Sequence, residues 1–161
     1  MKIISLDFEE GYEIPKKFGY NFDNINPRFE IVEIPRNTES LAIIMDDPDA
    51  MAAVGKVWVH WLICNIDPTI NLNSNSKIMI ESNYGMINLN KKNSSILGKN
   101  DFGKIGYGGP SPPDKCHMYF FKIFALDSKL TLSEGYSIIE LETAMKNHII
   151  QKEQIIGKFC P

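Results

Sequence analysis

The chemistry in this chain is carried by a few polar residues placed at the ends of apolar runs. The run Leu41–Met45 closes on MDDPDA, with Asp46, Asp47 and Asp49 around Pro48, a residue that cannot donate to a strand ladder. Carboxylates at a strand end either bond local backbone N–H groups in a solvated Asx turn or aim inward, where an Asp orients an imidazole or accepts from a ligand ammonium or hydroxyl. In VWVHWLICN, period-two alternation places Trp58, His60, Leu62 and Cys64 on one face and Val57, Val59, Trp61 and Ile63 on the other. Both faces are apolar, so this reads as a central, doubly covered strand. His60 is then either a hydrogen-bonded core residue or the polar floor of a pocket walled by Trp58. In HMYFFKIFALD, His117, Tyr119, Phe121, Ile123 and Ala125 share a face. Ahead of them stands YGGPSPP. Gly108 and Gly109 can bring backbone amides close to a ligand, and Pro110, Pro112 and Pro113 hold the loop's shape. Two imidazoles, a phenol hydroxyl and glycine-exposed amides suit a cluster of phosphate or carboxylate oxygens; without a ligand the same loop is only a stiff turn. Cys116 beside His117 suggests a thiolate–imidazole nucleophile, but adjacent strand residues point to opposite faces.

The elements that must position these groups are mostly strands. RFEIVEIP alternates from Phe29 to Ile34, LAIIM is a short continuous apolar run, and KVWVHWLICNI is rich in β-branched and aromatic residues. Residues 67–106 are rich in Asn, Ser, Gly and Lys, which predicts long loops with short strands. In YSIIELETAMKNHII the period changes: Ile138, Leu141, Met145 and Ile149 recur at helical spacing, and Ser137 with Glu140 forms a capping-box pattern. His148 lies beside that stripe and is expected to satisfy a core hydrogen bond. QKEQIIGKFCP adds a last apolar run. The predicted fold is a mainly β sandwich with one C-terminal α-helix, a single domain over residues 1–161.

Composition narrows the function classes. At 43% hydrophobic and 23% charged residues the chain is globular, and no stretch approaches the roughly 18 to 20 apolar residues of a membrane span. MKIISLDFEEGYEIP lacks the apolar core of a secretory signal, so a cytoplasmic location without membrane insertion is expected. A net charge of −3 lacks the clustered basic face that nucleic acid requires; Lys91, Lys92, Lys99 and Lys104 read as a solvated loop. Three widely spaced cysteines, Cys64, Cys116 and Cys160, form no CxxC, which predicts reduced thiols and no metal site.

Taken together and in order, these segments resemble the phosphatidylethanolamine-binding protein family, also called the Raf-kinase-inhibitor-like family. DDPDA resembles the family's DPDAP segment, WVHW its tryptophan-x-histidine element, DFGKIGYGGPSPP its Gly/Pro-rich loop and HMYFFKIFALD its histidine-x-tyrosine strand. The likeness spans about residues 1–159. AMKNHIIQKEQIIG and the short link AMAAVGKV between Asp49 and Trp58 are similar to the bacterial and archaeal branch. Met51, Ser111 and Met118 depart from the family pattern, which usually has Pro, Gly or Cys, and Arg there. The resemblance implies an antiparallel β-sandwich of a large central sheet and a smaller one, with a shallow anion pocket at one end. It places Asp47, Asp49, Trp58, His60, Gly109, Ser111, Pro112, His117 and Tyr119 in that pocket, with no cofactor.

The leading expectation is therefore a non-catalytic binding protein for small anionic or phosphorylated headgroup ligands, regulating a partner kinase or protease as the family's inhibitors do. A homodimer is compatible with this reading. Two alternatives stand beside it: a hydrolase or phosphoryl-handling enzyme using His60, His117 and Asp47, and an interaction protein whose pocket is vestigial. If both imidazoles bind anions as cations, affinity falls as pH rises through about 6.5.

Overall fold

The computed structural model describes residues 1–69, 77–82 and 95–161. Lys91 and Lys92 of the predicted solvated loop lie outside the described residues. The elements run β1 (Lys2–Ser5), a 3-10 turn (Lys16–Phe18), β2 (Phe29–Val32), β3 (Ser40–Asp47), α1 (Ala50–Val54), β4 (Trp58–Ile66), β5 (Ile78–Ile80), β6 (Ile96–Leu97), β7 (His117–Leu126), α2 (Ile138–Met145) and β8 (Ile149–Phe159). They form two antiparallel sheets, one ordered β1-β2-β5 and one ordered β6-β4-β3-β7-β8.

The hydrophobic pattern explains this layering. All eight residues of β3 are buried, because the central strand of the larger sheet is covered on both faces. One face packs against the small sheet through Ile43, Met45, Trp61, Phe121 and Ile123, which meet Phe29, Ile31, Ile78 and Ile80. The other face carries Ala42, Ile44, Leu62, Cys64 and Phe124 under Leu141 and Met145 of α2. The expected sandwich and helix are thus present, and the sheets pack as two layers with the helix as a third.

Three details differ from the sequence reading. α2 ends at Met145, and Ile149 begins β8, an 11-residue strand paired with β7; the capping box of Ser137 and Glu140 is formed as expected. His148 consequently leaves the helix stripe, and its Nδ1 pairs with the exposed Asp127 carboxylate at 2.8 Å instead of bonding in the core. Second, α1 is a single short helical turn directly after the aspartate cluster, closed by Gly55 in the left-handed conformation (φ 77°).

The third difference concerns the cysteines. β7 and β8 pair with His117 opposite Phe159, so the residue before one strand end faces the residue after the other. Cys116 and Cys160 meet there and form a disulfide across 44 residues of sequence, while Cys64 remains a buried free thiol. The expectation of three reduced thiols is overturned, since spacing along the chain carries no information on strand register. Disulfides of this kind persist in oxidising surroundings, so the cysteines lend no support to a reducing compartment. No described helix is long and apolar enough to cross a membrane.

Two outcomes check this architecture. Thiol counting in denaturant without reductant should find Cys64 alone reactive, and reduction should lower stability by about 4 kcal/mol on the chain-entropy relation for a loop of this length. Phe121, fully buried with its ring centroid 5.0 Å from that of Phe29, ties the two sheets; Phe121→Ala should cost about 4 kcal/mol in denaturant melts.

Candidate functional site

The three aspartates at the end of β3 part company. Asp46 pairs with Lys122 on the neighbouring strand β7. Asp47, almost fully buried, accepts the Ala50 N–H at 3.1 Å through Oδ1 and holds His117 Nδ1 at 2.7 Å through Oδ2. Asp49 accepts the Met118 N–H at 2.8 Å. The Asx-turn and the inward-aiming readings therefore both hold, for different oxygens of Asp47. Pro48 ends the ladder, and α1 turns back over the sandwich end.

His117 is the first residue of β7 and is fully buried. Its second nitrogen, Nε2, is also engaged, with Asp114 Oδ1 at 2.9 Å. Burial works to lower its pKa, but the bonds to Asp47 and then Asp114 outweigh that, so the pKa is raised and the cation is favoured. Asp114 escaped the sequence reading; its signal was its place three residues before His117 in a proline-stiffened loop.

His60 is as deeply buried but has different partners. β4 carries an extra residue opposite β3: Met45 pairs with Trp61 and Asp46 with Val59, which leaves His60 as the bulge. The bulge breaks the expected alternation. Val59 joins Leu62 and Cys64 on the helix-covered face, Trp61 and Ile63 face the small sheet, and the His60 ring meets Tyr119 at 5.2 Å. His60 Nδ1 lies 2.6 Å from the Gly108 carbonyl. A carbonyl only accepts, so Nδ1 carries the proton and Nε2 keeps its lone pair. Desolvation dominates and pushes its pKa down to about 4, so the ring is neutral at pH 7. The expectation that both imidazoles bind as cations is corrected for His60.

The Gly/Pro-rich loop is built for close packing. The Gly109 amide donates to Asn24 Oδ1 at 2.7 Å and the Gly108 amide to the His60 carbonyl at 2.8 Å, so neither is an open donor. A Cβ on Gly109 would lie 2.0 Å from the Phe18 carbonyl oxygen, and one on Gly108 would lie 2.7 Å from the Phe102 ring. The glycines let residues 107–110 lie directly on residues 18–24, where the Pro110 carbonyl accepts the Tyr20 N–H and the Tyr107 hydroxyl donates to the Phe18 carbonyl.

These groups enclose a cavity of about 230 Å³. Of the anticipated residues, Asp47, Trp58, His60, Ser111 and His117 line it. Asp49, Gly109, Pro112 and Tyr119 are not among its lining residues, while Pro113 supplies the wall assigned to Pro112. Sequence reasoning missed Phe102 and the α1 residues Ala50, Ala53 and Val54. Phe102 stacks on Tyr20 at 4.0 Å and meets Trp58 and His60 edge-on at 5.4 and 5.5 Å. Asn100 shapes its loop by accepting the Phe102 and Lys104 amides and donating to the Gly106 carbonyl.

Four buried donors have no hydrogen-bond partner among the described residues, Thr38 Oγ1, Trp58 Nε1, Trp61 Nε1 and Tyr119 Oη, and of their residues Trp58 alone lines the cavity. The Tyr119 pKa is raised, by burial first and then by the Asp47 carboxylate, so the phenol keeps its proton. No group of three or more His, Cys, Asp or Glu among the described residues is placed to hold a metal ion.

A two-sheet β-sandwich with an apolar-walled cavity, floored by a neutral and a charged imidazole, defines the structural class. The sequence matches the phosphatidylethanolamine-binding protein family over residues 4–160, and the chain belongs to that family. It is 35% identical to a UPF0098 protein of Chlamydia pneumoniae and 36% identical to one of Methanothermobacter thermautotrophicus, each over 99% of this chain and 98% of the relative. Among solved structures it is similar to the phosphatidylethanolamine-binding protein homologue CT736 of Chlamydia trachomatis, with TM-score 0.83 and 30% identity over 98% of this chain and 95% of that one. It is also similar to Escherichia coli YbcL, with TM-score 0.85 and 25% identity over 98% of this chain and 96% of that one.

The pKa values of the site's two histidines should be displaced in opposite directions. The His60 ring should stay neutral down to about pH 4 in side-chain NMR, while His117 remains charged above its ordinary value of about 6.5. Unfolded His60 takes its proton near 6.5 and folded His60 near 4, so its contribution lowers stability as pH falls through that interval, by about 3 kcal/mol in full. His117 has the opposite sign: its stabilisation is present below about 6.5 and is lost as pH rises through its raised folded value. His60→Asn should flatten the acid limb of the stability curve and leave the alkaline limb unchanged.

Proposed function

We propose that the protein is a non-catalytic binding module whose cavity takes a small oxyanion, phosphate or a phosphorylated headgroup. The observation that carries this reading is the unpartnered donor Trp58 Nε1 of a cavity-lining residue, in a cavity that His117, favoured as the imidazolium, also lines. A buried donor without a partner is costly, and an oxygen-rich ligand in the cavity would satisfy it. Tyr119 neighbours both imidazoles, its ring centroid 5.2 Å from that of His60 and 6.4 Å from that of His117. Neutral His60 Nε2 adds an acceptor, which suits a ligand that also brings a proton: a monoprotonated phosphate, or the ammonium of an ethanolamine headgroup. Family membership supports the same reading. Trp58, Phe102, Val54 and Pro113 supply apolar walls for the carbon part of such a ligand. Control of a kinase or protease would then depend on the liganded cavity end.

Titration with inorganic phosphate and phosphorylethanolamine, followed by His60 and His117 side-chain NMR, tests the reading. Saturable shifts are expected. Trp58→Phe removes one donor and keeps an aromatic wall, so it should weaken binding about tenfold, the effect of losing one hydrogen bond to a charged oxygen. No shift at millimolar ligand would leave the cavity without this role. Turnover of a phosphoester that is lost in His60→Ala would replace the binding module with a hydrolase.

A further inference from the structure

We propose that the Asp114 carboxylate is a built-in competitor for the ligand at His117 Nε2 and sets the affinity threshold that an incoming oxyanion must pass. This rests on the reading that the cavity takes an oxyanion. The imidazole has two nitrogens, and both meet carboxylates, Asp47 at 2.7 Å and Asp114 at 2.9 Å.

The two carboxylates are not equivalent. The Asp47 side chain is 4% exposed and also accepts the Ala50 amide, so it is a fixed part of the fold. Removing it would leave the buried imidazolium with only the half-exposed Asp114 as a partner. The Asp114 side chain is 48% exposed and stands in the loop between Pro113, a cavity residue, and Cys116. Burial works to raise the Asp114 carboxyl, but its bond to His117 holds it below the ordinary range, so it is ionised at neutral pH. A carboxylate this exposed keeps much of its hydration, and its ion pair is screened.

Exchange is therefore chemically natural. An oxyanion arriving at Nε2 replaces one charge-assisted bond with another of the same kind, and Asp114 swings into water. No covalent bond changes, and the imidazolium keeps its proton. The arriving oxygen competes with a carboxylate tethered three residues away, whose effective concentration is high. An anion whose only gain is the Nε2 bond is outcompeted. A phosphate, whose further oxygens can also meet Trp58 Nε1 of the cavity lining, passes the threshold.

The test is calorimetric titration of inorganic phosphate at pH 7 and fixed ionic strength into the full chain, Asp114→Ala, Asp114→Asn and Lys115→Ala. Lys115→Ala changes the charge by one unit at the neighbouring exposed position without touching His117. Asp114→Ala should bind phosphate up to about fivefold more tightly, because a screened, half-exposed ion pair no longer competes, and Lys115→Ala should shift affinity less than about twofold. In the unaltered chain, phosphate saturation should move the Asp114 carboxyl carbon signal to the position of a free aspartate. Equal phosphate affinity in the unaltered chain and both Asp114 variants would overturn the proposal and leave the oxyanion site standing. So would a Lys115→Ala change as large as that of Asp114→Ala and opposite in sign, which would mark a general field effect. Phosphate binding by none of the four proteins would instead remove the oxyanion reading itself.

Discussion

The buried pair of His117 and Asp47 is the constraint around which this end of the molecule is organised. An imidazolium and a carboxylate, each nearly without exposure, sit at the edge of a core made of isoleucine, phenylalanine and tryptophan. Desolvating two charges is expensive, and only close geometry with the remaining polar atoms bonded offsets it. Several otherwise unrelated features meet that requirement. β3 and β7 are neighbours, so their ends bring the two residues within 2.7 Å. Pro48 ends β3 directly after Asp47, and α1 starts where its Ala50 amide can bond the carboxylate. Asp49 fixes the Met118 amide and clamps the same two strands a second time.

A second constraint is steric. The loop at residues 107–110 lies so close to residues 18–24 that Gly109 has no room for a Cβ, and its amide is occupied by Asn24. Glycine and proline here hold two segments of backbone in contact, and the cavity forms beside that contact with Phe102 as one of its walls. The cavity thus combines a rigid floor of Asp47, His117 and the bulged His60 with a rim of half-exposed polar groups. Rigid floors preserve geometry, and exposed rims can rearrange at low cost.

The site's two imidazoles show how environment divides one residue type into two roles. His60 has a carbonyl for a partner and is surrounded by aromatic rings, so burial dominates and the ring is neutral. His117 has two carboxylates, and the ring is charged despite equal burial. One offers an acceptor and the other a positive charge, and unpartnered indole and phenol donors lie nearby. That mixture of polarity distinguishes the site from a simple cationic anion hole.

Much of this was legible in the sequence, because the signals were local. Alternation marked β2, β7 and the inward face of Tyr119, Phe121 and Ile123; a continuous apolar run marked β3; and the Ser137–Glu140 pair marked the start of α2. The ordered motifs around Asp47, His60 and His117 were sufficient for the family. Tertiary structure alone decided the rest. The bulge that redirects His60 is a property of pairing between β3 and β4, and the Cys116–Cys160 bond follows from the β7–β8 register. Asp114 acquires meaning only when the loop folds back on its own histidine. Periodicity and capping are set by residues a few positions apart, whereas register, bulges and buried charge pairs depend on which strands meet, and a linear pattern does not encode that meeting.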